Sequence, residues 1–240
     1  MQLSVLIPVL DEQDNILPLL EEIYAALAAC PAFEVLVIDD GSGDATATRV
    51  EKALAEYPTL RLIRHERRAG KSAALVTGAR AAQGAWLAFI DGDRQNDPAD
   101  IPPMLRKVEG DEDLVLVNGV RRRRQDTLSK RLASRAANAI RQAILHDDCP
   151  DTGCGLKLIR RDLFLDLPAI DCLHRFIPAL VKGRGLTHAN LSVNDRPRVA
   201  GTSKYTNLHR AAVGLWDLFG ILWLIRRQKR PGGAIEVKAP

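Results

Sequence analysis

The sequence predicts an α/β fold, an open and mostly parallel sheet flanked by helices. Three observations predict it. Apolar runs of strand length alternate with helically periodic segments through the first ninety residues. The first of these runs, Leu3–Val9, is continuous rather than polar on every second residue, as in a buried parallel strand. The turns between them are short and polar, and the order β-α-β-α-β-α-β gives parallel neighbours joined by right-handed crossovers.

Leu3–Val9 is the first buried strand. Asp14 to Ala29 reads as a helix, with Ile16, Leu19, Leu20, Ile23, Ala26 and Leu27 on one face. Glu34–Ile38 is the second strand, closed by Asp39-Asp40-Gly41-Ser42-Gly43, and a helix runs from Asp44 to about Tyr57. A third strand spans Leu60–Arg64, a small-residue helix follows Gly70 over Lys71–Ala82, and Trp86–Ile90 is the fourth strand. The second half is less regular. It reads as a strand at Asp113–Asn118, a basic helix over Leu128–Leu145, a short strand at Gly155–Ile159 and a helical stretch over Arg161–Leu167. Phe176–Val181 reads as helix, Leu191–Asn194 as an edge strand, Arg196–Tyr205 as a basic loop and Leu208–Ile225 as a final strong element.

Charge divides the same way. Residues 1–117 carry 20 acidic and 11 basic side chains, and residues 118–240 carry 10 and 23, so a formal net charge of +4 is the sum of −9 and +13. An acidic half suits a metal or cationic group, and a basic half suits phosphates, nucleic acid or an anionic membrane. With 46% hydrophobic and 27% charged residues, the chain is neither disordered nor a multi-span membrane protein. Cys30, Cys149, Cys154 and Cys172 form no CxxC pair and read as reduced structural thiols. Met1–Val9 lacks a basic start and runs into Asp11-Glu12, so no secretory signal is read there and a cytoplasmic location is expected.

In open α/β sheets ligands gather at the carboxyl ends of the strands. Pro8–Glu12, Asp39–Ser42 and Asp91-Gly92-Asp93 all fall there. Three groups of carboxylates at one edge repel one another unless something cationic sits among them. Asp91-Gly92-Asp93 places two carboxylates on alternate residues, an arrangement suited to one divalent cation and a diphosphate, and Mg²⁺ or Mn²⁺ prefers such oxygen-rich, partly hydrated coordination. The plain alternative is a strand-end turn with solvated carboxylates. Asp39–Thr46 is a glycine-rich turn that lets backbone approach a ligand, and Ser42 or Asp44 also suits a helix cap. Neither a G-x-G-x-x-G nor a G-x-x-x-x-G-K-[ST] run is present, which disfavours a Rossmann dehydrogenase or a P-loop enzyme.

Pro8-Val-Leu-Asp-Glu12 with Asn15, Asp39–Thr46, Gly70-Lys71 and Asp91-Gly-Asp-Arg-Gln-Asn-Asp-Pro98 together resemble the family 2 glycosyltransferases of GT-A fold, and among them the polyprenol- and dolichol-phosphate sugar synthases. Gly119-Val-Arg121, Ser134–Asn138, Asp151–Gly155 and Arg198–Lys204 extend the resemblance to about Asp217. It implies a nucleotide pocket at Pro8, Leu10, Glu12, Ile38 and Asp40, and a metal–diphosphate site at Asp91, Gly92 and Asp93, with Gln95 as a further metal or sugar contact. Arg121, Arg198 and Lys204 resemble the cations that clamp donor diphosphate and acceptor phosphate, and Arg131 and Arg135 sit where lipid-phosphate arginines are expected. His174, before Arg175-Phe176, is a candidate acceptor-side residue. The family's Asn before Glu12 is Asp11 here.

The implied reaction is metal-dependent, inverting transfer of a sugar, mannose by default, from a GDP- or UDP-linked donor to a polyprenyl phosphate. Negative charge develops on the departing nucleoside diphosphate, which a metal and Arg/Lys stabilise. A lipid monophosphate is already mostly ionised near neutral pH, so it needs positioning rather than a general base. The rival acceptor is a saccharide or other hydroxyl, which would require a carboxylate base. A rival of another class is a non-catalytic basic membrane- or nucleic-acid-binding module. Against nucleic acid, no aromatic platform accompanies the Arg121–Arg124 run, of which Arg122–Arg124 read equally as a solvated face.

Val213–Ile225 is apolar except for Asp217, short of the ~20 residues a span requires. Trp216, Phe219 and Trp223 share one helical face and Arg226–Arg230 follow, a pattern suited to a helix lying on anionic lipid, though a core or dimer helix has the same periodicity. The expected organisation is a GT-A domain over 1–206, an interfacial helix over 207–230 and a tail over 231–240, peripherally bound at the cytoplasmic membrane face. A separate integral membrane partner would supply any span.

Overall fold

The computed structural model describes residues 3–122, 138–197 and 207–228, with side chains in the last segment from residue 216 onward. The elements are β1 (Leu3–Val9), α1 (Ile16–Ala26), β2 (Phe33–Asp39), α2 (Thr46–Ala53), β3 (Leu60–Arg64), α3 (Lys71–Ala81) and β4 (Trp86–Phe89). After a single 3₁₀ turn (Pro98–Asp100) come α4 (Ile101–Glu109), β5 (Leu114–Arg121), the helical residues 138–145 (α5), β6 (Lys157–Arg160), α6 (Arg161–Asp166), α7 (Leu173–Gly183), β7 (Thr187–Val193) and α8 (Asn207–Arg227). The chain divides into two compact units, Met1–Lys204 and Tyr205–Pro240.

Seven strands form one sheet in the order β3-β2-β1-β4-β6-β5-β7. All neighbours are parallel except β6, which runs antiparallel to both β4 and β5. Successive residues of a strand point to opposite faces, and the core follows that rule. Leu3, Val5, Ile7 and Val9 join Ile16, Leu19, Leu20 and Ile23 of α1, Val50 of α2 and Ile101, Met104 and Leu105 of α4 in one buried cluster. Leu6 and Ile38 face the other way, onto α3, where Gly78 leaves no room for a side chain: a Cβ there would lie 2.8 Å from Ile38 Cδ1.

The first four strands lie within a residue or so of their expected bounds, while the helices between them are shorter than periodicity implied. α1 ends at Ala26 rather than Ala29 and α2 at Ala53 rather than Tyr57. The strand expected at Gly155–Ile159 begins at Lys157 and is antiparallel. β7 starts at Thr187, four residues before the expected edge strand, and occupies the sheet edge beside β5. Of the helix expected over Leu128–Leu145, residues 138–145 are helical and the rest lies outside the described residues. The 3₁₀ turn and α4 had no counterpart in the sequence reading.

Candidate active site

Parallel pairing brings the carboxyl ends of β1, β2 and β4 to one edge. Pro8 sits opposite Ile38 and Val9 opposite Asp39, and the loops that follow are laced together. Asp11 N donates to Ser42 Oγ at 2.9 Å, Gly43 N donates back to Asp11 Oδ1 at 2.8 Å, and Glu12 N donates to Thr46 Oγ1 at 2.8 Å. Asp11 adopts a left-handed φ of 52°, which Asp and Asn tolerate better than other side chains. Asp11 therefore orders this loop through one carboxylate oxygen. Asn15 Nδ2 holds the Glu12 carboxylate at 2.7 Å. Gly92 packs onto the same loop: a Cβ on it would meet Val9 Cγ1 at 2.8 Å and Glu12 Cγ at 3.5 Å. The structure thus brings Pro8, Ile38, Glu12 and Gly92 together, with Leu10 on the same loop.

Asp40 is committed within the chain. Its Oδ1 accepts from Ala69 N and its Oδ2 from Gly70 N, both at 2.8 Å, and His65 Nδ1 lies 2.8 Å from Oδ1. These bonds fix the turn into α3 at Gly70, whose φ of 93° suits glycine. Asp39 is different. Its Oδ1 accepts from Ser42 N at 2.9 Å, while its buried Oδ2 has no hydrogen-bond partner and lies 3.4 Å from Arg64 Nε. An acceptor left so at the carboxyl end of β2 suits a nucleotide donor group.

The turn set by Asp40 delivers Lys71 to Asp91, and the two form an ion pair. Asp91 lies two residues past the end of β4, and Asp93 is buried with its Oδ1 accepting from Gln95 N at 3.2 Å. The opposite wall belongs to the segment before β6. Gly155 lies flat against the Asp91 carboxyl group, so that a Cβ there would stand 2.4 Å from its Cγ. Arg121, at the end of β5, grips Asp151 with Nε to Oδ2 at 2.7 Å and Nη2 to Oδ1 at 2.9 Å, a bidentate fork. Lys157, fully buried, donates to the carbonyls of Thr152 (3.3 Å) and Cys154.

Electrostatics follow from this packing. Burial alone would raise the Asp91 pKa, but Lys71 above all, then Lys157 and Arg121, hold it below the ordinary carboxylate value. Burial pulls the Lys157 ammonium down. It would do the same to Arg121, whose hydrogen bonds and charge contact with Asp151 outweigh it and raise the pKa. Cys154 is pushed up to about 11 by burial, which keeps the thiol protonated and inert.

Among the described residues no group of three or more His, Cys, Asp or Glu side chains could hold a metal ion. Mg²⁺ and Mn²⁺ at nucleotide sites take one or two carboxylates and complete their shells with phosphate oxygens and water. Asp91 and Asp93, one held ionised and both at the mouth of the sheet edge, fit this pattern. The backbone of Gln95 lies beside them. Arg121 reaches the site's far wall through Asp151. His174 Nδ1 lies 2.9 Å from Ser72 Oγ on the first turn of α3, next to Lys71. Arg131, Arg135, Arg198 and Lys204 lie outside the described residues.

Sequence reasoning assigned no role to Lys71, Lys157, Asp151 or Gly155. The visible signal for Lys157 was a lysine inside the apolar run Leu156–Ile159.

The chain as a whole has known relatives. The family model Glycosyl transferase family 2 matches residues 4–167. The chain belongs to glycosyl transferase family 2. Against dodecaprenyl-phosphate galacturonate synthase of Rhizobium johnstonii the transferase is 34% identical over 237 residues, covering 97% of this chain and 70% of that protein. Against undecaprenyl-phosphate 4-deoxy-4-formamido-L-arabinose transferase of Salmonella paratyphi A it is 33% identical over 213 residues, covering 85% of this chain and 63% of the relative. It thus spans about two thirds of the length of these curated relatives. Among solved structures, glucosyl-3-phosphoglycerate synthase of Mycobacterium tuberculosis, in complex with Mn²⁺, UDP-glucose and phosphoglyceric acid, superposes with a TM-score of 0.70 at 20% identity, covering 96% of this transferase and 81% of that chain. The same enzyme in complex with Mg²⁺ and UDP gives a TM-score of 0.69 at 22% identity, covering 93% and 79%. The transferase has the GT-A glycosyltransferase fold.

Proposed function

We propose that this glycosyltransferase moves a sugar from a GDP- or UDP-linked donor to a polyprenyl phosphate, with Mg²⁺ or Mn²⁺ held by Asp91 and Asp93 and approached by Gln95. The observation that carries the donor half is the Asp91-Gly92-Asp93 turn packed on the Pro8–Glu12 loop and faced by Lys71. The names of the curated relatives support the acceptor half, since both contain a polyprenyl phosphate. A bound metal would supply positive charge to the departing diphosphate. Lys71 adds a cation at the same edge, and Arg121, with Arg198 and Lys204 by resemblance, completes the charge around the two phosphates. Arg131 and Arg135 are the proposed lipid-phosphate contacts.

The acceptor phosphate is its own nucleophile, so no side chain is assigned as base, and one-step attack inverts the sugar carbon. Mannose is the default donor sugar by family resemblance. Galacturonate and 4-deoxy-4-formamido-L-arabinose, named in the relatives, belong beside it in any donor panel.

The proposed location is peripheral, on the cytoplasmic membrane face, and the helical unit supports the membrane contact in that reading. No described helix is long and apolar enough to cross a membrane. On α8, Trp216, Phe219 and Trp223 are 82%, 59% and 61% exposed at helical spacing, with Arg226 and Arg227 following them. Exposed indole and phenyl rings beside arginines match an anionic headgroup layer. The proposed organisation is catalytic through residue 206 and interfacial over 207–230, with 231–240 outside the described residues. The test incubates the protein with labelled nucleotide sugars, polyprenyl phosphate and Mg²⁺ or Mn²⁺. Label in the lipid phase is expected. Label appearing only in added saccharide, or none, overturns the acceptor assignment.

A further inference from the structure

Immediately after the carboxylate turn, Arg94 holds a left-handed φ of 60°. For a long side chain this backbone is strained and persists only where surroundings impose it. Here they do. The Arg94 guanidinium pairs with Glu22 of α1, and Glu22 is in turn gripped by Arg196, Nη1 to Oε2 at 2.6 Å. The other arm of Arg196, Nη2, reaches Asp97 Oδ1 at 2.6 Å, and its backbone N donates to Gln95 O at 2.9 Å. Asn96 and Asp195 form an antiparallel bridge, and Asn194 N donates to Asp100 Oδ2 at 2.7 Å. Residues 94–97 are therefore held between Glu22 of α1 and residues 195 and 196, the latter almost a hundred residues away in the chain. One guanidinium, Arg196, bridges the two carboxylates, Glu22 and Asp97, that flank the loop.

We propose that Arg196 is a positioning residue of the donor site: by bridging Glu22 and Asp97 it locks the 93–97 loop in the geometry that presents Asp93 to the metal and diphosphate. The inference rests on the reading of Asp91–Asp93 as the donor-diphosphate site. Arg196 contacts neither Asp91 nor Asp93 through any of these bonds. It acts through the loop. A lysine can satisfy one of the two carboxylates but has no planar fork to meet both, so the site should distinguish Arg196→Lys from Arg196→Met.

The experiment measures binding of UDP and GDP, each with Mn²⁺, by calorimetry, alongside thermal melting, for wild type, Arg196→Met, Arg196→Lys and Glu22→Gln. Losing charge-assisted hydrogen bonds that order the loop should weaken nucleotide binding about 10-fold in Arg196→Met, with Arg196→Lys between it and wild type. Glu22→Gln removes charge with little change of volume and covers the case in which Arg196→Met does not fold. It should weaken binding in the same direction. Combined with Arg196→Met it should cost less than the product of the two single losses, because both act on one network. Folded variants that bind nucleotide as wild type does, or Arg196→Lys no better than Arg196→Met, overturn the proposal alone. Wild type binding neither nucleotide overturns the donor-site reading and this proposal with it.

Discussion

The ammonium of Lys71 is ion-paired with the carboxylate of Asp91, across the gap between the first turn of α3 and the end of β4. One cation thus already stands at the carboxylate assigned to the metal. Lys71→Met should therefore tighten Mn²⁺ binding in the absence of nucleotide, by about 10-fold for loss of one nearby like charge. Turnover should fall about 100-fold, since the departing diphosphate loses a cation. Calorimetric Mn²⁺ titration and an initial-rate assay read the two effects separately. Unchanged Mn²⁺ affinity would place Lys71 outside the metal's reach.

Asp93→Ala removes a buried carboxylate but leaves Asp91 and its pairing with Lys71 intact. Transfer should drop by at least about 1,000-fold, as expected for loss of a group that organises transition-state charge. Far-ultraviolet circular dichroism should be unaltered. Normal turnover in a folded Asp93→Ala protein would refute the metal assignment.

Gly155→Ala is the sharpest steric probe. Its methyl would stand 2.4 Å from Asp91 Cγ, so the carboxylate has to move. Overpacking of this kind costs ~1–3 kcal/mol where neighbours yield. A modest fall in melting temperature with a loss of activity at least as large as that of Lys71→Met is expected. A variant as active as wild type would mean that Asp91 has no fixed position to defend.

His188 supplies a pH dependence. Its Nε2 donates to the carbonyl of Asp147 at 2.8 Å and its Nδ1 lies 3.4 Å from Asn118 Nδ2, an arrangement that needs the neutral ring. Burial holds its pKa below the ordinary 6.5, with Lys182 adding to this and Asp148 opposing it. As pH falls below 6.5 the unfolded chain takes up the proton before the folded one, so stability declines until the folded ring also titrates. Thermal melts between pH 7.5 and 5 should show that decline in wild type and a flatter curve in His188→Gln (a pH range chosen to bracket the ordinary value, about 6.5).

On α8, replacing Trp216, Phe219 and Trp223 together by Ala should abolish co-sedimentation with anionic vesicles. Transfer to a detergent-solubilised acceptor should persist. Vesicle binding equal to wild type would remove the aromatic face from the membrane reading.

Much of this molecule was legible because its first half is built locally. β1, β2 and β4 are apolar runs closed by acidic turns, and each of those turns falls at a strand end where ligands gather. α4 was hidden by Pro102 and Pro103, which look like breakers but occupy a first helical turn, where a missing N–H is harmless. The start of β7 was hidden because Thr187 to Asn190 are exposed or half-buried polar and small residues at a sheet edge, with no apolar signal. The direction of β6 depends on pairing with strands distant in sequence, which no local pattern encodes. For the same reason Asp91 and Asp93 could be read as a metal motif, whereas Gly70-Lys71 and Asp151–Gly155 entered only as parts of the resemblance, and their place beside Asp91, like that of Lys157, appears only when the sheet closes.

The reversed strand has a consequence for how such a chain can change. A wholly parallel sheet would offer its active edge only departing strands, each tied to the helix that follows. Because β6 runs the other way, the wall that backs Asp91 is an arriving segment, fastened to its neighbours by four residues of pairing with β4 and three with β5. The registers that join β1 to β2 and to β4 are set without any residue of the stretch between β5 and β6. The molecule has a seam. On one side lies a socket fixed by parallel register, and on the other a wall brought in by the antiparallel strand.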